Sequence, residues 1–136
     1  QWAVDAFKLC SSGVADTTQI HTHMCYSEFS DILESIQAMD ADVLSIEDSR
    51  SHGRLAKGLA EMHYGNGIGP GIYDVHSERV PPKEDLVKTI RFLVDNIPLK
   101  QLWVNPDCGL KTRGYKETTP SLKNLVEAVK EVRRTL

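Results

Sequence analysis

The fold is decided by residues 19–47, which read QIHTHMCYSEFSDILESIQAMDADVLSIE. This stretch begins with a short strand pattern at Gln19–Met24 and ends with a second one at Asp42–Glu47. Between them, the apolar residues of Glu28–Met39 recur at the spacing that places them on one face of an α-helix. Those residues are Phe29, Ile32, Leu33, Ile36 and Met39. The stretch therefore predicts a strand, a helix and a second strand in succession.

The same strand-then-helix unit is repeated along the rest of the chain. Short, apolar-rich strands separated by helices are expected to run parallel, because a parallel pair needs a long crossover connection. Pro81 and Pro82 open the third helix pattern, and Pro120, with Thr119 as its cap, is expected to begin the last one. The further predicted elements are a helix at His52–Tyr64, a strand at Gly67–Tyr73, a helix at 83–97, a strand at Gln101–Pro106 and a helix at 120–136.

Two α/β architectures use four such units in order. One is a small open doubly wound sheet. The other is a (β/α)8 barrel, of which 136 residues could hold only half because a complete barrel needs about 250. The chain starts at Gln1 without an initiator methionine, inside an amphipathic helix pattern, which favours a half barrel and a single partial domain over residues 1–136. A half barrel leaves two strand edges unpaired, so we expect the isolated chain to be marginally stable or to self-associate.

Composition and charge are those of an ordinary soluble domain. With 40% hydrophobic residues, 26% charged residues and a net charge of −3, the chain has no basic run that would bind nucleic acid or an anionic membrane. Its apolar stretches fall far short of the ~20 residues that span a bilayer. Three widely spaced cysteines, Cys10, Cys25 and Cys108, do not form a disulfide framework. We therefore expect reduced thiols, no nucleic-acid or membrane partner, and a cytoplasmic protein, or a plastid one if the source is a plant or an alga.

Residues that can bind metal occur where the predicted strands end, which is where parallel α/β folds build their sites. Thiolate, imidazole and carboxylate groups together form a donor set for zinc. A packed structural role explains the same spacing equally well. The residues concerned are His21, His23 and Cys25 at the first strand, Glu47 after the second, Asp74 and His76 after the third, and Asp107 and Cys108 after the fourth.

Several other residues receive structural interpretations. Cys10 does not lie at the end of a predicted strand, so we expect it to be a buried thiol. His52 and His63 fall on a predicted helix with polar neighbours and are expected at its surface. The run Gly67-Ile68-Gly69-Pro70-Gly71 is not followed directly by a helix, as a phosphate-binding loop would be. Its glycines are expected instead to allow close backbone approach at a strand.

Four segments share a family pattern: QIHTHMCYSEFSDI, DADVLSIEDSRS, GIGPGIYDVHS and LWVNPDCGLKTR. In this order and at these separations, they closely resemble the C-terminal catalytic barrel of cobalamin-independent methionine synthase, over essentially the whole chain. The resemblance implies an α/β fold in which the chain forms the C-terminal half, four βα units, of a (β/α)8 TIM barrel. It also implies zinc-dependent transfer of the N5-methyl group of 5-methyltetrahydrofolate polyglutamate to the thiolate of homocysteine, which forms methionine.

The resemblance also assigns roles to individual residues. The implied ligands of Zn2+ are His23, Cys25, Glu47 and Cys108. His76 corresponds to the proton donor, and His21 to a neighbour that orients the site without binding the metal. The other half of the barrel and a preceding domain would supply most contacts to homocysteine and folate. The chain alone is therefore expected to be inactive, and its parent protein to be a monomer.

Two hypotheses of other classes compete with this interpretation. In the first, the chain is a non-catalytic βα module whose cysteines and histidines are structural and which acts by self-association. In the second, it is a hydrolase that uses Cys25 or Cys108 as a nucleophile with His76 as its base.

Overall fold

The structure, a computed structural model, describes residues 2–25 and 32–136. Helices and strands alternate along the described chain, as the sequence predicts. The first part of the predicted helix Glu28–Met39, including Phe29, lies outside the described residues. The elements are α1 (Trp2–Ser11), β1 (His21–Met24), α2 (Leu33–Ala38), β2 (Val43–Ile46), α3 (Arg54–Glu61), β3 (Gly67–Pro70), α4 (Lys83–Asn96), a 3-10 helix (Leu110–Thr112) and α5 (Tyr115–Arg133).

The three strands form one parallel sheet in the order β1-β2-β3. His21–Met24 pairs in register with Val43–Ile46, which pairs in turn with Gly67–Pro70. Helix α2 connects β1 to β2, and α3 connects β2 to β3. The predicted α/β class, with parallel strands joined by helices, is thereby confirmed. Because the strands are parallel, the residues that follow them meet at one edge of the sheet.

The predicted fourth strand, Gln101–Pro106, is only partly formed. It runs parallel beside β3 and makes two isolated bridges, which join Ile68 to Leu102 and Gly71 to Asn105. Ile68 and Ile72 donate main-chain hydrogen bonds to this segment, with N–O distances of 2.7 and 3.0 Å. The residue midway between these donors is Pro70, which has no N–H. The ladder is therefore interrupted at Pro70, although the segment keeps the direction and place of a strand.

Helix α5 begins at Tyr115, five residues before the predicted start at Pro120. The prediction that Thr119 caps this helix is therefore wrong. The first turn is closed instead by the main-chain N–H of Thr118, which donates to the carbonyl of Gly114 at 3.0 Å. Pro120 removes only the hydrogen bond to the carbonyl of Lys116, four residues earlier and exposed. Proline is tolerated at this point because that carbonyl can bind water.

The hydrophobic core lies between one face of the sheet and the helices. Leu44, Ile46 and Ile68 supply the strand side and are fully buried. Helices α4 and α5 pack against each other and add further apolar side chains to the same cluster. The buried members from these helices are Leu86, Val87, Ile90, Leu93, Leu125, Ala128 and Val132. The removal of these apolar side chains from water is the main force that holds the helices on the sheet.

The opposite face of the sheet borders an open depression of about 330 Å³. His21, His23, Val43 and Ser45 line it from β1 and β2, and Trp103 lines it from the bridged segment. The two histidines therefore lie on one face, as their alternation along the strand predicts. None of the helices in the described part of the chain is long and apolar enough to cross a membrane.

Candidate metal centre

Three metal-binding side chains from distant parts of the sequence meet at the carboxyl edge of the sheet. His23 is on β1, Cys25 directly follows β1, and Cys108 follows the segment that is bridged to β3. The Nε2 atom of His23 is 3.1 Å from the Sγ atom of Cys25 and 3.4 Å from that of Cys108. The two sulfur atoms are 3.2 Å apart. We call these three residues, whose donor atoms lie within 4.8 Å of one another, the His-Cys-Cys cluster.

A serine on the neighbouring strand orients His23. Ser45 lies opposite His23 in the β1–β2 register, and its Oγ atom is 2.7 Å from Nδ1 of the histidine. The hydroxyl donates its hydrogen to the carbonyl of Thr22 at 3.2 Å. Its lone pairs are then free to accept the Nδ1–H of His23. In this tautomer Nε2 presents a lone pair to the two sulfur atoms, which is the form that binds a metal.

The two thiols of the cluster are not joined in a disulfide bond and lie in negative surroundings. Their sulfur atoms are farther apart than the ~2.05 Å of a disulfide bond. Burial raises the pKa of Cys108 to about 12, with further increases from the hydrogen bond and charge of Cys25 and from the charges of Glu47 and Asp107. A cation placed at the cluster would offset this repulsion between like charges.

The donor set of the cluster fits zinc. Around a tetrahedral Zn2+ with bonds of about 2.0–2.3 Å, neighbouring nitrogen and sulfur donors are separated by about 3.5–3.8 Å. The separations within the cluster, 3.1, 3.2 and 3.4 Å, are shorter than these values by up to about 0.6 Å. One imidazole and two thiols are also a combination that zinc prefers over hard cations. The three side chains could therefore hold zinc after a small outward adjustment.

Glu47, the fourth zinc ligand that the family resemblance implies, is buried directly after β2. Its main-chain N–H donates to the carbonyl of Met24 at 3.1 Å, which fixes it beside the strand end that precedes Cys25. Its carboxylate lies outside the His-Cys-Cys cluster. Its negative charge nevertheless contributes to the raised pKa of Cys108. The structure thus brings three of the four predicted ligands together and places the fourth on the adjacent strand end.

His76, the predicted proton donor, lies in the loop after β3 and is held by Asp74. Its Nδ1 atom is 2.9 Å from Oδ1 of Asp74, and its main-chain N–H donates to the same oxygen at 2.8 Å. Arg50 lies 3.4 Å from the other carboxylate oxygen. Burial alone would raise the pKa of Asp74, but these hydrogen bonds and the charge of Arg50 lower it overall. His76 is thus paired with a carboxylate, whereas both cysteines are grouped with His23.

His21 lies beside the cluster but outside it. Its Nε2 atom is 2.9 Å from Oε1 of Gln19, and its ring packs edge-on against Trp103 with centroids 5.1 Å apart. Within the described chain, the group of potential ligands does not include His21. These contacts agree with the expectation that His21 is a neighbour of the site.

The structure corrects one interpretation of a remaining cysteine and refines that of two histidines. Cys10 is exposed, so the prediction of a buried thiol is wrong. The reason is that α1 buries Val4, partly covers Phe7 and Ser11, and leaves the face that carries Cys10 to solvent. His52 and His63 are exposed as predicted, but they flank α3 in turns with positive φ of 55° and 58°.

The glycine run at residues 67–71 allows close approach, as predicted from the sequence. A Cβ atom added to Gly69 would collide with the side chain of Asn105, and one added to Gly71 would collide with Asp107. Neither glycine has positive φ, so what each position requires is space. The segment that ends in Cys108 can therefore lie directly against β3.

The carboxylate of Asp107 has a role that the sequence did not reveal. The sequence placed Asp107 among the candidate metal ligands at the strand ends. In the structure its carboxylate accepts hydrogen bonds instead. It is fully buried and accepts the main-chain N–H groups of Asp48 and Ser49 at 3.1 and 3.0 Å, together with the Ser49 hydroxyl. Burial raises the pKa of Asp107 despite these hydrogen bonds, and the charge of Glu47 adds to the increase. The only sequence signal was its position beside Cys108.

Comparison with known protein families shows to which family the chain belongs. Residues 1–131 match the family described as "Cobalamin-independent synthase, Catalytic domain". The chain belongs to this family. The match covers the His-Cys-Cys cluster, Glu47, His76 and the strand ends that place them.

The chain is also similar in sequence to individual methyltransferases. The chain is 56% identical over 135 residues to the 5-methyltetrahydropteroyltriglutamate–homocysteine methyltransferase of Shewanella oneidensis, covering 99% of the chain and 18% of that protein. It is 52% identical over 132 residues to the methyltransferase of the same name from Saccharophagus degradans, covering 97% of the chain and 17% of that protein. The chain therefore spans less than a fifth of the length of these curated relatives.

A solved structure shows the same fold. It is a B12-independent methionine synthase from Shewanella sp. W3-18-1 in complex with selenomethionine, with a TM-score of 0.84 and 18% sequence identity. The match covers 98% of this chain and 43% of that chain.

Proposed function

We propose that the chain supplies the metal-binding half of a methyltransferase that forms methionine from homocysteine and 5-methyltetrahydrofolate polyglutamate. The observation that carries this proposal is the His-Cys-Cys cluster, in which His23, Cys25 and Cys108 lie 3.1–3.4 Å apart. The names of the similar proteins support the reaction class, since they name homocysteine and a methylated pteroyltriglutamate.

The architecture proposed with this function is the C-terminal half of a (β/α)8 barrel, formed by a single partial domain over residues 1–136. Three parallel strands and a fourth bridged segment follow one another in sequence order, and each precedes a helix. The coverage of 43% of a methionine synthase structure at a TM-score of 0.84 supports this proposal. The reaction also requires Cys25 and Cys108 to be reduced, which favours the cytoplasm as the compartment.

The residues that would hold zinc are His23, Cys25 and Cys108, with Glu47 as the fourth ligand. When bound, zinc supplies a Lewis-acidic centre that lowers the pKa of a thiol, so that homocysteine is a nucleophile at neutral pH. The tautomer that Ser45 favours leaves Nε2 of His23 available as a ligand. Glu47 is buried at the end of β2, where its main-chain N–H donates to the carbonyl of Met24.

His76 is proposed to provide the proton that the folate requires. The bond from N5 to its methyl group breaks as the bond from sulfur to that methyl group forms. Neutral N5 is a poor leaving group, so it must take up a proton. Imidazole exchanges protons readily near neutral pH. With Nδ1 of His76 held by Asp74, the protonated ring would donate that proton from Nε2.

A chimera would test the proposed function. The 135 residues of this chain that match the Shewanella oneidensis relative would replace the corresponding segment of that protein, which provides the remaining length. We expect the chimera to bind one zinc and to form methionine from homocysteine and the folate. His76→Asn should lower methionine formation by about 10²- to 10⁴-fold with unchanged zinc content. His63→Ala, at an exposed histidine, is the matched control and should retain activity. A folded, zinc-loaded chimera without activity would contradict the proposal.

A further inference from the structure

Asp107 joins two loops that carry proposed zinc ligands. It directly precedes Cys108, and its carboxylate accepts hydrogen bonds from the main-chain N–H groups of Asp48 and Ser49, the two residues after Glu47. The Ser49 hydroxyl donates to the second carboxylate oxygen. These contacts link positions 58 and 59 residues apart in sequence. They connect the loop after β2 to the loop after the bridged segment.

The loop after β2 is also held on its other two sides. The N–H of Glu47 donates to the carbonyl of Met24, at the end of β1. The carboxylate of Asp48 accepts the N–H groups of Leu55 and Ala56 at 3.2 and 3.0 Å, and thereby caps α3. Asp107 adds a direct side-chain connection toward Cys108. The main-chain hydrogen bonds between these two regions are indirect, because they run from Ile46 to Gly71 and from Ile72 to Asn105.

The third strand makes room for Asp107. The residue packed against its Cα and carboxylate is Gly71, where any Cβ atom would collide with both. Gly71 is itself fixed by a hydrogen bond from its N–H to the carbonyl of Ile46 at 2.8 Å. Gly71 therefore leaves the space that the buried carboxylate occupies, beside the loop that contains Asp48 and Ser49.

We propose that Asp107 is the positioning residue of the zinc site, because its buried carboxylate joins the loop that follows Glu47 to the residue beside Cys108 and thereby fixes the two loops that carry these ligands. This inference rests on the proposed function, since it takes zinc as the ion. Asp107 does not bind the metal in this arrangement. Both of its oxygen atoms are occupied by donors from residues 48 and 49, so it acts through the two ligands that it connects.

The test compares the zinc affinity of the 136-residue chain with that of three variants, measured by competition with a chromogenic chelator. Asp107→Ala should weaken zinc binding by about 10- to 100-fold, the usual effect of removing a group that orients ligands. Asp107→Asn should restore affinity close to that of the unchanged chain. Its amide oxygen can accept both N–H groups, and its NH2 can donate to the Ser49 hydroxyl. Gly71→Ala should weaken binding as Asp107→Ala does, because it displaces the carboxylate without changing its chemistry.

A matched control exists at the opposite end of the sheet. The side-chain amide of Asn66 donates to the carbonyl of Ala41 at 2.9 Å and joins the loop before β3 to the loop before β2. Asn66→Ala therefore removes a comparable connection between loops, far along the strands from the cluster. It should lower stability without changing zinc affinity. Equal loss of zinc affinity in Asn66→Ala and Asp107→Ala, or no loss in Asp107→Ala, would overturn the proposal.

A measurement on the metal-free chain separates this proposal from the proposed function. Hydrogen exchange at the amides of Asp48 and Ser49 should be slow in the unchanged chain and in Asp107→Asn, and faster in Asp107→Ala. If the unchanged chain shows this pattern but binds no zinc, the connection made by Asp107 is real and the assigned metal is wrong. Exchange that is equally fast in all three proteins would overturn the connection itself.

Discussion

The sulfur atoms of Cys25 and Cys108 lie 3.2 Å apart, although 83 positions separate the two residues in sequence. Cys25 follows the first strand and Cys108 follows the bridged segment beside the third. Their approach is completed by His23, whose Nε2 atom is within 3.4 Å of both. The cluster therefore forms only when the first strand and the bridged segment are both assembled into the sheet.

The spacing of the two sulfur atoms predicts a specific disulfide bond in the metal-free chain. Under mild oxidation, Cys25 and Cys108 need to approach by only about 1 Å to reach the disulfide length of about 2.05 Å. Peptide mapping by mass spectrometry should find this pair and leave exposed Cys10 unpaired within the chain. Zinc should slow the reaction, because both thiols would be ligands. A disulfide that includes Cys10 would contradict this prediction.

Replacement of one cluster thiol should abolish stoichiometric zinc binding. Cys108→Ser substitutes a hydroxyl, a much weaker zinc ligand than a thiolate, and leaves the cluster with two strong donors. Elemental analysis of the purified chain should find about one zinc in the unchanged protein and far less in the variant. Cys10→Ser is the matched control, since this thiol is exposed on α1 and outside the cluster. Unchanged zinc content in Cys108→Ser would disprove the ligand assignment.

Alanine substitutions at two glycines, Gly53 before α3 and Gly58 within it, should change the free energy of unfolding in opposite directions. Gly53 has a φ of +82°, and an added Cβ atom would lie 2.8 Å from the ring of Phe92, so Gly53→Ala should destabilise the fold by about 1–3 kcal/mol. Gly58, inside the helix, has nothing within 4 Å of an added Cβ atom, so Gly58→Ala should stabilise it by about 0.5–1 kcal/mol. Urea unfolding measures both changes. Equal effects would show that space and backbone conformation at Gly53 are unimportant.

The contact between Asp74 and His76 should make stability depend on acid pH. The pKa of Asp74 is lowered in the folded chain, so its ionised form contributes stability above the unfolded pKa, and that contribution is lost as pH falls through the folded value. Between neutral pH and about pH 3, the unchanged chain should lose more unfolding free energy than Asp74→Asn. Asp16→Asn, at an exposed carboxylate, is the control. Parallel losses in the unchanged chain and Asp74→Asn would contradict the assignment.

The order and direction of the strands could be predicted from local pattern, but their ends could not. Apolar spacing identified each helix and each strand region, because burial of one face imposes a period on the sequence. The interruption of the fourth strand at Pro70 depends on a proline in its neighbour, which the sequence of Gln101–Pro106 does not show. Similarly, the tolerance of Pro120 inside α5 depends on the exposure of the carbonyl of Lys116.

By itself, the sequence determined which residue types stand at the strand ends, and its four family segments selected His23, Cys25, Glu47 and Cys108 from them. Only the tertiary structure decided that three of these atoms meet within 3.4 Å. It also decided that Asp107 serves the neighbouring loop as an acceptor, because burial leaves a carboxylate to pair with whichever donors the fold brings to it. Distances between residues far apart in sequence are set by how the strands and helices pack, and local patterns do not contain them.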